Sequence, residues 1–337
     1  MLTKIEIDKL CETVDPRQFK DKRILITGGS GMVGIYLVES LVVLFQNFGI
    51  KPKILNVLIR KQNCRLSELE RVNSYLRIDC SEFSHYKGDR DSDYVFHLAS
   101  PASPLNHGDP QELDFINKTF LEKIVPGKDG MLLFVSSGEV YGSQAPSPIR
   151  EEYFGQHKLT GERQSYPKSK IAGEELVRSL HELGEISKFK VARLFHTFGP
   201  GIRENDGRSF SDFLYAAAHG KNLKLHSSGK VNRSFLYSLD ATTAFLTLAM
   251  NDEINGAFNV GSDNEISILT FAEKVVENSS NNIGLEFSTP SSNYIETPNL
   301  TLYPDTGKLR SLGWEPKFSI DQAISLTLDW IRKETIK

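Results

Sequence analysis

The chain has 337 residues, which is enough for one large α/β domain with an appended lobe or for two domains. Its hydrophobic share of 39% and charged share of 25% are typical of globular proteins, and a formal net charge of −3 argues against a broad basic surface for nucleic acid. The apolar run Leu41–Phe45 is far shorter than the roughly 20 residues that span a bilayer. We therefore expect neither a membrane nor a nucleic-acid partner.

The N-terminal stretch and the cysteines point to a cytoplasmic protein. The first residues lack the apolar core of a secretory signal. Cys11, Cys64 and Cys80 are scattered and odd in number, which fits neither a disulfide framework nor a set of metal ligands. We predict a cytoplasmic location and no metal site.

In chain order, the sequence predicts a polar N-terminal helix and then strands that alternate with helices. The first 20 residues carry a narrow apolar stripe at Ile5, Leu10 and Val14. Six apolar runs are typical of strands, namely Lys22–Thr27, Lys53–Ile59, Asp93–Ser100, Met131–Ser137, Lys190–Gly199 and Gly256–Ser262. With helical patterns between several of them, these runs predict an α/β fold with a doubly wound parallel sheet that binds ligands at the carboxyl ends of its strands.

The character of the sequence changes after residue 198, where loops rich in Gly, Asn and Ser alternate with short helical pieces. We predict an N-terminal helical extension over residues 1–20 and a nucleotide-binding domain over 21–198, to which 233–262 return. Residues 199–232 and 263–337 then form a smaller C-terminal substrate-binding lobe.

The stretch "ITGGSGMVG" places three glycines between a strand and a helix. Gly28, Gly31 and Gly34 have the spacing G-x-x-G-x-x-G, in the context of a dinucleotide fingerprint. Glycines permit a tight turn and close approach to a pyrophosphate, and the helix N-terminus offers free N–H groups. An ordinary glycine-rich turn is the alternative. On the first interpretation, Met32 and Val33 between the glycines also contact the cofactor.

The second strand ends in "VLIRK", where dinucleotide sites usually carry an acidic residue for the ribose 2′-OH. Arg60 and Lys61 stand there instead. A cation can meet a 2′-phosphate and favour NADP, or Arg60 can stack on adenine or face solvent with NAD, and the sequence leaves these alternatives open. Asp79, in "RIDCSEF", is predicted to contact the adenine amine.

The stretch "SYPKSK" places Tyr166 and Lys170 four residues apart at the start of a helix, on one face. An ammonium beside a phenol lowers the pKa of the phenol and makes it a usable base near neutral pH. Ser137, at the end of a predicted strand, can hydrogen-bond the same substrate oxygen. These three residues predict a proton relay for oxidising an alcohol while a nicotinamide takes up hydride, although Y-x-x-x-K alone more often marks a solvated helix face.

Seven segments together resemble the extended short-chain dehydrogenase/reductase superfamily, the group of nucleotide-sugar epimerases, dehydratases and decarboxylases. In chain order they are "TGGSGMVG", "HLASPASP", "SSGEVYG", "YPKSK", "FGPGIRENDGR", "RSFLYSLD" and "LGWEPKFSIDQAI". The segments "HLASPASP", "DGR" and "RSF" look most like UDP-glucuronate decarboxylases. The resemblance covers roughly residues 22–332.

This resemblance implies a Rossmann-like domain that retains NAD, a smaller substrate lobe, a nucleotide-sugar substrate and commonly a homodimer. It implies that Ser137, Tyr166 and Lys170 are the hydride-transfer triad. From the segment "HLASPASP" it assigns Leu98 and Ala99 to the cofactor and Ser103 to the substrate.

The segment Ser137-Gly138-Glu139 bears on the reaction type. Dehydratases of this superfamily read Thr-Asp-Glu, with the Asp protonating the departing hydroxyl and the Glu removing the C5 proton. Decarboxylases read Thr-Ser-Glu. Because glycine cannot donate a proton, Gly138 disfavours water elimination and is compatible with decarboxylation or 4-epimerisation, while Glu139 favours chemistry at C5. A salt-bridging loop residue is the alternative for Glu139.

Four residues at the substrate end are assigned by the same resemblance. Arg233 matches the arginine that grips the diphosphate, Arg163 matches one near the catalytic tyrosine, and Arg208 belongs to the "DGR" segment. His196 stands where the family has an asparagine that contacts substrate. A histidine is bulkier and can carry charge, so the preferred sugar is left open.

The sequence leaves several functions open. In order of preference, the C4-keto intermediate decarboxylates, epimerises or eliminates water. Arg60 and Lys61 motivate an NADP-dependent keto-sugar reductase as an alternative, and a non-catalytic dinucleotide-binding protein is a third. The intact triad argues against the last.

Overall fold

A computed structural model describes residues 2–88, 90–102, 109–142, 145–154, 159, 164–287 and 302–335. Its strands are β1 Arg23–Thr27, β2 Ile54–Ile59, β3 Leu76–Cys80, β4 Tyr94–His97, β5 Met131–Ser137, β6 Lys188–Leu194, β7 Thr197–Phe198, β8 Leu223–Leu225, β9 Asn232–Ser234, β10 Leu236–Tyr237, β11 Gly256–Val260, β12 Glu265–Ser267 and β13 Leu285–Phe287.

The α-helices are α1 Lys4–Thr13, α2 Met32–Phe48, α3 Cys64–Val72, α4 Pro110–Asp114, α5 Leu121–Lys123, α6 Ser165–Glu182, α7 Ser209–Ala218, α8 Ser238–Met250, α9 Ile268–Glu277, α10 Gly307–Arg310 and α11 Ile320–Thr335. A π-helical turn, Phe115–Phe120, joins α4 to α5. Short 3-10 helices cover Pro16–Phe19, Phe83–His85, Gly138–Tyr141 and Glu151–Tyr153.

Seven parallel strands form the central sheet in the order β3-β2-β1-β4-β5-β6-β11. Helices α2 and α8 pack in the core on one face, and α6 with the π-helical turn packs on the other. The chain runs outward from β1 to β3 and then returns to β4, so the order of strands reverses between β1 and β4. The predicted doubly wound parallel α/β fold is confirmed, and its switch point opens a crevice at the carboxyl ends of β1 and β4.

The sequence predicts six strands, and the structure adds a seventh, β3, at the edge of the sheet. Only Leu76 among its five residues is buried. Because an edge strand needs little apolar surface, its pattern is too weak to stand out from a loop. The predicted fifth strand is also shorter than expected, since β6 ends at Leu194 and β7 leaves the sheet to pair with β10.

The N-terminal helix forms as predicted, but its buried stripe differs. Leu10 and Val14 are buried, whereas Ile5 is 43% exposed. Glu6 is buried instead, and its Oε1 accepts hydrogen bonds from the hydroxyls of Tyr36 at 2.9 Å and Tyr237 at 2.7 Å. A buried carboxylate is tolerated there because these hydroxyls satisfy Oε1, while the backbone N–H and the hydroxyl of Thr3 satisfy Oε2, each at 2.7 Å.

Candidate active site

A cleft of about 1070 Å³ lies at the carboxyl ends of the central strands. Most of the predicted site residues line it, although they come from segments spread over 180 positions of the chain: Gly28, Gly31, Met32, Val33, Gly34, Arg60, Leu98, Ala99, Ser137, Glu139, Tyr166, Lys170, His196 and Arg208. Asp79 and Arg233 do not line the cleft. Ser103 and Arg163 lie outside the described residues.

The glycine turn has no room for side chains. Gly28 has φ +75°, and a Cβ there would lie 2.7 Å from the backbone nitrogen of Ala99. A Cβ on Gly34 would lie 2.2 Å from the carbonyl oxygen of Gly28. Both distances are shorter than any van der Waals contact, so only glycine permits this tight packing of turn, helix and neighbouring strand.

Helix α2 begins directly at this turn. Its N-cap residue, Gly31, has no side chain that can accept a hydrogen bond from the first turn of the helix. The N–H groups of that turn and the positive end of the helix dipole therefore remain for a ligand, and Met32 and Val33 line the cleft there. The turn and the helix end fit the pyrophosphate of a dinucleotide.

The cations after β2 have a partner that the sequence does not indicate. The Arg60 guanidinium forms an ion pair with the Glu112 carboxylate of α4, and both side chains line the cleft. Asp79 is exposed in β3 and does not line the cleft, whereas Glu82 and Phe83, which follow the same strand, do. Its contact with the adenine amine stays a prediction.

Ser137 and Tyr166 form a hydrogen bond with each other at the base of the cleft. Ser137 is the last residue of β5, and its Oγ accepts a hydrogen bond from the backbone N–H of Glu139 at 3.2 Å. Tyr166 lies in the first turn of α6, where its phenol is buried. The strand end and the helix start thus bring together two hydroxyls that are 29 positions apart.

The electrostatics of Tyr166 differ from the sequence prediction. Burial raises the pKa of its phenol, and the neighbouring Glu139 carboxylate raises it further. The hydrogen bond from Ser137 and the positive charge of Arg208 lower the pKa, but they do not offset burial. The prediction that Lys170 lowers this pKa is not met, and the Lys170 Nζ lies 6.0 Å from the centre of the Tyr166 ring.

Lys170 is itself perturbed by its position. Burial lowers the pKa of its ammonium to about 7, although the Glu174 carboxylate one turn away raises it in part. Its Nζ donates hydrogen bonds to the Val135 carbonyl at 2.8 Å and to the Asn117 Oδ1 at 3.2 Å. A buried amine with a pKa near neutrality can exchange a proton close to physiological pH.

Asn117 is a site residue that the sequence analysis missed. It lies in the π-helical turn, and its Nδ2 donates to the Leu113 carbonyl at 3.1 Å and to the Ser169 Oγ at 3.1 Å. These two bonds fix the amide so that its oxygen faces Lys170. No local spacing signals this contact, because it joins two helices that are 53 positions apart.

Gly138 lies against an aromatic ring. A Cβ on Gly138 would lie 2.9 Å from Cδ1 and Cε1 and 3.0 Å from Cζ of Phe195. The ring is held in place by stacking on Tyr141, with centroids 6.3 Å apart, and by contact with Gly261, where a Cβ would lie 3.1 Å from the Phe195 Cβ. The space that an acidic side chain at position 138 would occupy is therefore filled.

The substrate end of the cleft brings His196 near two arginines. Burial, followed by the positive charges of Arg233 and Arg208, lowers the pKa of the imidazole to about 3. Its Nδ1 is buried and has no hydrogen-bond partner among the described residues. A neutral imidazole with an unused nitrogen, facing a cleft, can hydrogen-bond a ligand.

The two arginines are held differently. Arg208 donates from Nη2 to the Ala102 carbonyl at 2.6 Å and from Nη1 to the Asp206 carboxylate at 2.9 Å, so it joins the start of α7 to the loop after β4. Arg233 is buried in β9, where its Nη1 donates to the Asn232 carbonyl at 2.8 Å and burial lowers the pKa of its guanidinium. It lies behind the cleft wall rather than in it.

Beneath the cleft, a buried ion pair holds the end of β5. Arg193 Nη2 donates to the Glu174 carboxylate at 2.7 Å, and Nη1 donates to the Tyr141 hydroxyl at 2.8 Å. The Ser136 hydroxyl donates to the same carboxylate at 2.5 Å. This network ties β5, β6 and α6 together directly below Ser137.

The described residues contain neither a membrane-spanning helix nor a cluster of metal ligands. No helix in these ranges is long and apolar enough to cross a bilayer. Within the same ranges, His, Cys, Asp and Glu side chains form no group of three or more that could hold a metal ion.

Comparisons with known proteins agree with this geometry. The NAD dependent epimerase/dehydratase family matches residues 24–261. The chain is 30% identical over 330 residues to UDP-glucuronic acid decarboxylase 1 of Xenopus tropicalis, covering 93% of this chain and 73% of that protein.

Two solved structures share the fold. A UDP-N-acetylglucosamine 4-epimerase from Methanobrevibacter ruminantium M1, in complex with UDP-N-acetylmuramic acid, superposes with a TM-score of 0.77 at 21% identity over 94% of this chain and 99% of that one. A UDP-glucuronic acid 4-epimerase from Bacillus cereus, solved with UDP-glucuronic acid and NAD, gives 0.75 at 20% identity over 93% and 99%.

The predicted family and cofactor are thereby confirmed, since the match spans the whole central sheet from β1 to β11 and the glycine turn fits a dinucleotide. The protein belongs to the NAD-dependent epimerase/dehydratase family and is an enzyme that uses NAD.

Proposed function

We propose that this enzyme modifies a nucleotide sugar through a C4-keto intermediate and that the reaction is decarboxylation of a UDP-glucuronate-type substrate. The observation that carries the proposal is the pairing of Ser137 and Tyr166 directly beside Gly138, where the Phe195 ring fills the space of an acid. The family and the decarboxylase relatives at about 30% identity support the same choice.

Side chains of the protein take up the proton of the C4 hydroxyl. NAD, held by the Gly28–Gly34 turn, supplies the hydride chemistry when it is bound. The Tyr166 oxygen takes the proton of the C4 hydroxyl, and Ser137 hydrogen-bonds the same oxygen as it becomes a carbonyl. Lys170, with a pKa of about 7, can exchange a proton near physiological pH, and we assign it to the onward transfer of that proton.

Loss of CO₂ then needs no acid at position 138. In the 4-keto sugar the C5 carboxylate is that of a β-keto acid, so the bond from C5 to the carboxylate carbon breaks and its electron pair moves to the C4 carbonyl oxygen as an enolate. Reprotonation at C5 restores the ketone before the C4 carbonyl is reduced. Glu139, which is close enough to Tyr166 to raise its pKa, is the proton-carrying group that we assign to C5.

We infer that the smaller lobe, residues 199–232 and 263–337, holds the nucleotide and sugar. Arg208 lines the cleft and offers a guanidinium to the diphosphate, while Arg233 adds positive potential from behind the wall. His196, kept neutral by burial and by these two charges, donates from its unused nitrogen to a hydroxyl or phosphate oxygen. A cytoplasmic location and a homodimer remain predictions.

A 4-epimerase is the second candidate. Epimerisation at C4 needs the same oxidation of the C4 hydroxyl, and it needs no acidic side chain at position 138. Water elimination is disfavoured, since the departing hydroxyl would lack an acid. An NADP-dependent reductase is weakened by the ion pair that occupies Arg60.

The test is to incubate the purified protein with UDP-glucuronate and NAD and to follow the nucleotide sugars by mass spectrometry and chromatography. A product lighter by one CO₂, absent with Tyr166→Phe, is the expected result. A product of unchanged mass and altered retention would identify an epimerase and overturn the decarboxylation. Unchanged substrate would overturn the assignment of this sugar.

A further inference from the structure

Four charged side chains line the cleft at the end of β2. Arg60 and Lys61 follow the strand, Glu82 follows β3, and Glu112 lies in α4. Their formal charges cancel. The Arg60 and Glu112 side chains form an ion pair and are 44% and 38% exposed, so the pair is at the rim of the cleft and open to an incoming ligand.

The position of this pair relates it to one part of the cofactor. In a doubly wound dinucleotide site, the residue after the second strand recognises the 2′ position of the adenosine ribose, with a carboxylate for the 2′-OH of NAD or an arginine for the 2′-phosphate of NADP. Arg60 stands at that point, directly after Ile59. Glu112 reaches it from the opposite wall, 52 positions further along the chain.

We propose that Glu112 is a cofactor-specificity residue that makes this site select NAD over NADP. The Glu112 carboxylate is paired with the Arg60 guanidinium. It also provides a hydrogen-bond acceptor for the ribose 2′-OH, which the end of the second strand lacks. A ribose hydroxyl can donate to such a carboxylate. A 2′-phosphate, with about two negative charges, is repelled by Glu112 and must break the ion pair to reach Arg60.

The neighbouring charges explain why Glu112 decides between NAD and NADP. Lys61 forms no ion pair with another residue in the described parts of the chain, so it remains available to either cofactor. Without the Glu112 charge, Arg60 and Lys61 would face only Glu82, and the rim would become net positive. One substitution therefore changes the local field from neutral to attractive for a phosphate.

The test measures binding rather than turnover, with the full-length protein and without a sugar. NADPH competes with NADH for the cleft, and the two dissociation constants are compared at one low salt concentration, because salt screens exposed charges. In the wild type we expect NADH to bind at least about tenfold more tightly. Glu112→Gln should strengthen NADPH binding about tenfold and leave NADH binding within about threefold, because the glutamine carbonyl oxygen still accepts from a ribose hydroxyl.

Two further variants make the result specific. Glu122→Gln removes the same charge from an exposed position of α5 and should leave the ratio of the two constants unchanged. Adding Arg60→Gln to Glu112→Gln should abolish the gain in NADPH affinity. Preserved NADH binding shows that each variant is folded.

An unchanged ratio with Glu112→Gln would overturn the proposal, as would a wild type that binds both cofactors equally well. An equal loss of both affinities would also overturn it, because Glu112 would then be a structural residue. The inference rests on the use of NAD and not on the proposed sugar, so a failed decarboxylation assay leaves it untouched.

Discussion

The cofactor end and the substrate end of the cleft are built in different ways. The cofactor end is dominated by one continuous segment, Gly28–Gly34, whose geometry follows from glycine at fixed spacing. The substrate end combines Gly138, Phe195, His196 and Arg208 from three distant segments. Binding of the dinucleotide is thus encoded locally, whereas the choice of sugar and reaction that we propose rests on side chains that only the fold brings together.

The two ends also differ in their electrostatics. At the cofactor end, Arg60 and Glu112 are partly exposed and paired, so their interaction is weak and can be replaced by a ligand. At the other end, Lys170 is buried and His196 is half-buried, and their pKa values are lowered to about 7 and about 3. Burial makes that end sensitive to pH and to small changes of shape.

The largest expected effect comes from the residue at the junction of the two ends. Tyr166→Phe removes the hydroxyl to which we assign the exchange of the C4 proton, and we expect turnover to fall about 1,000-fold or more. NADH affinity should change less than about threefold, because the ring remains in place. Tyr153→Phe, from a 3-10 helix away from the cleft wall, is the control. Full turnover of Tyr166→Phe, measured by product formation, would remove this residue from its assigned role.

The cofactor end should be intolerant of a single methyl group. In Gly34→Ala the new Cβ would lie 2.2 Å from the Gly28 carbonyl oxygen, so the turn must open. We expect NADH to bind about 100-fold more weakly, or about 3 kcal/mol, in a fluorescence titration. Gly284→Ala is a matched control, because its Cβ would meet nothing within 4 Å. Equal affinities of the two variants would show that the turn does not hold the cofactor.

The shape of the substrate end can be tested at Gly138. In Gly138→Ala the Cβ would approach three ring carbons of Phe195 to 2.9–3.0 Å, and we expect the free energy of unfolding to fall by about 2 kcal/mol. Phe195→Leu removes the ring edge, so the double variant should recover part of the loss. Urea denaturation of both single variants and the double variant gives the coupling energy. Strictly additive effects would mean that the ring does not exclude a side chain from position 138.

The smallest expected effect concerns the pH dependence of stability. His196 has a pKa of about 3 in the folded chain against 6.5 for an unperturbed histidine, so both states are neutral above pH 6.5 and only the unfolded chain takes up the proton as the pH falls. The folded state therefore loses stability below pH 6.5, by about 1.4 kcal/mol from this residue at pH 5.5. His196→Asn should reduce the loss between pH 7.5 and pH 5.5 by that amount.

The matched control for this measurement is His85→Asn, on an exposed 3-10 helix. It should leave the pH dependence of the free energy of unfolding as in the wild type. If His196→Asn lost as much stability on acidification as the wild type does, the imidazole would not be held neutral by burial and the two arginines.

The sequence by itself determined the parts of this protein that follow from local pattern. Alternating strands and helices predicted the parallel sheet, and three glycines between β1 and α2 predicted the dinucleotide turn, because period and glycine spacing act over a few residues. The tertiary structure alone decided the rest. It added the edge strand β3. It brought Glu112 into contact with Arg60, Asn117 with Lys170 and Phe195 with Gly138. Asp79 and Arg233 do not line the cleft. The tertiary structure also reversed the expected pKa shift of Tyr166, since the burial of a phenol and the distances between its charged neighbours are properties of the packed fold.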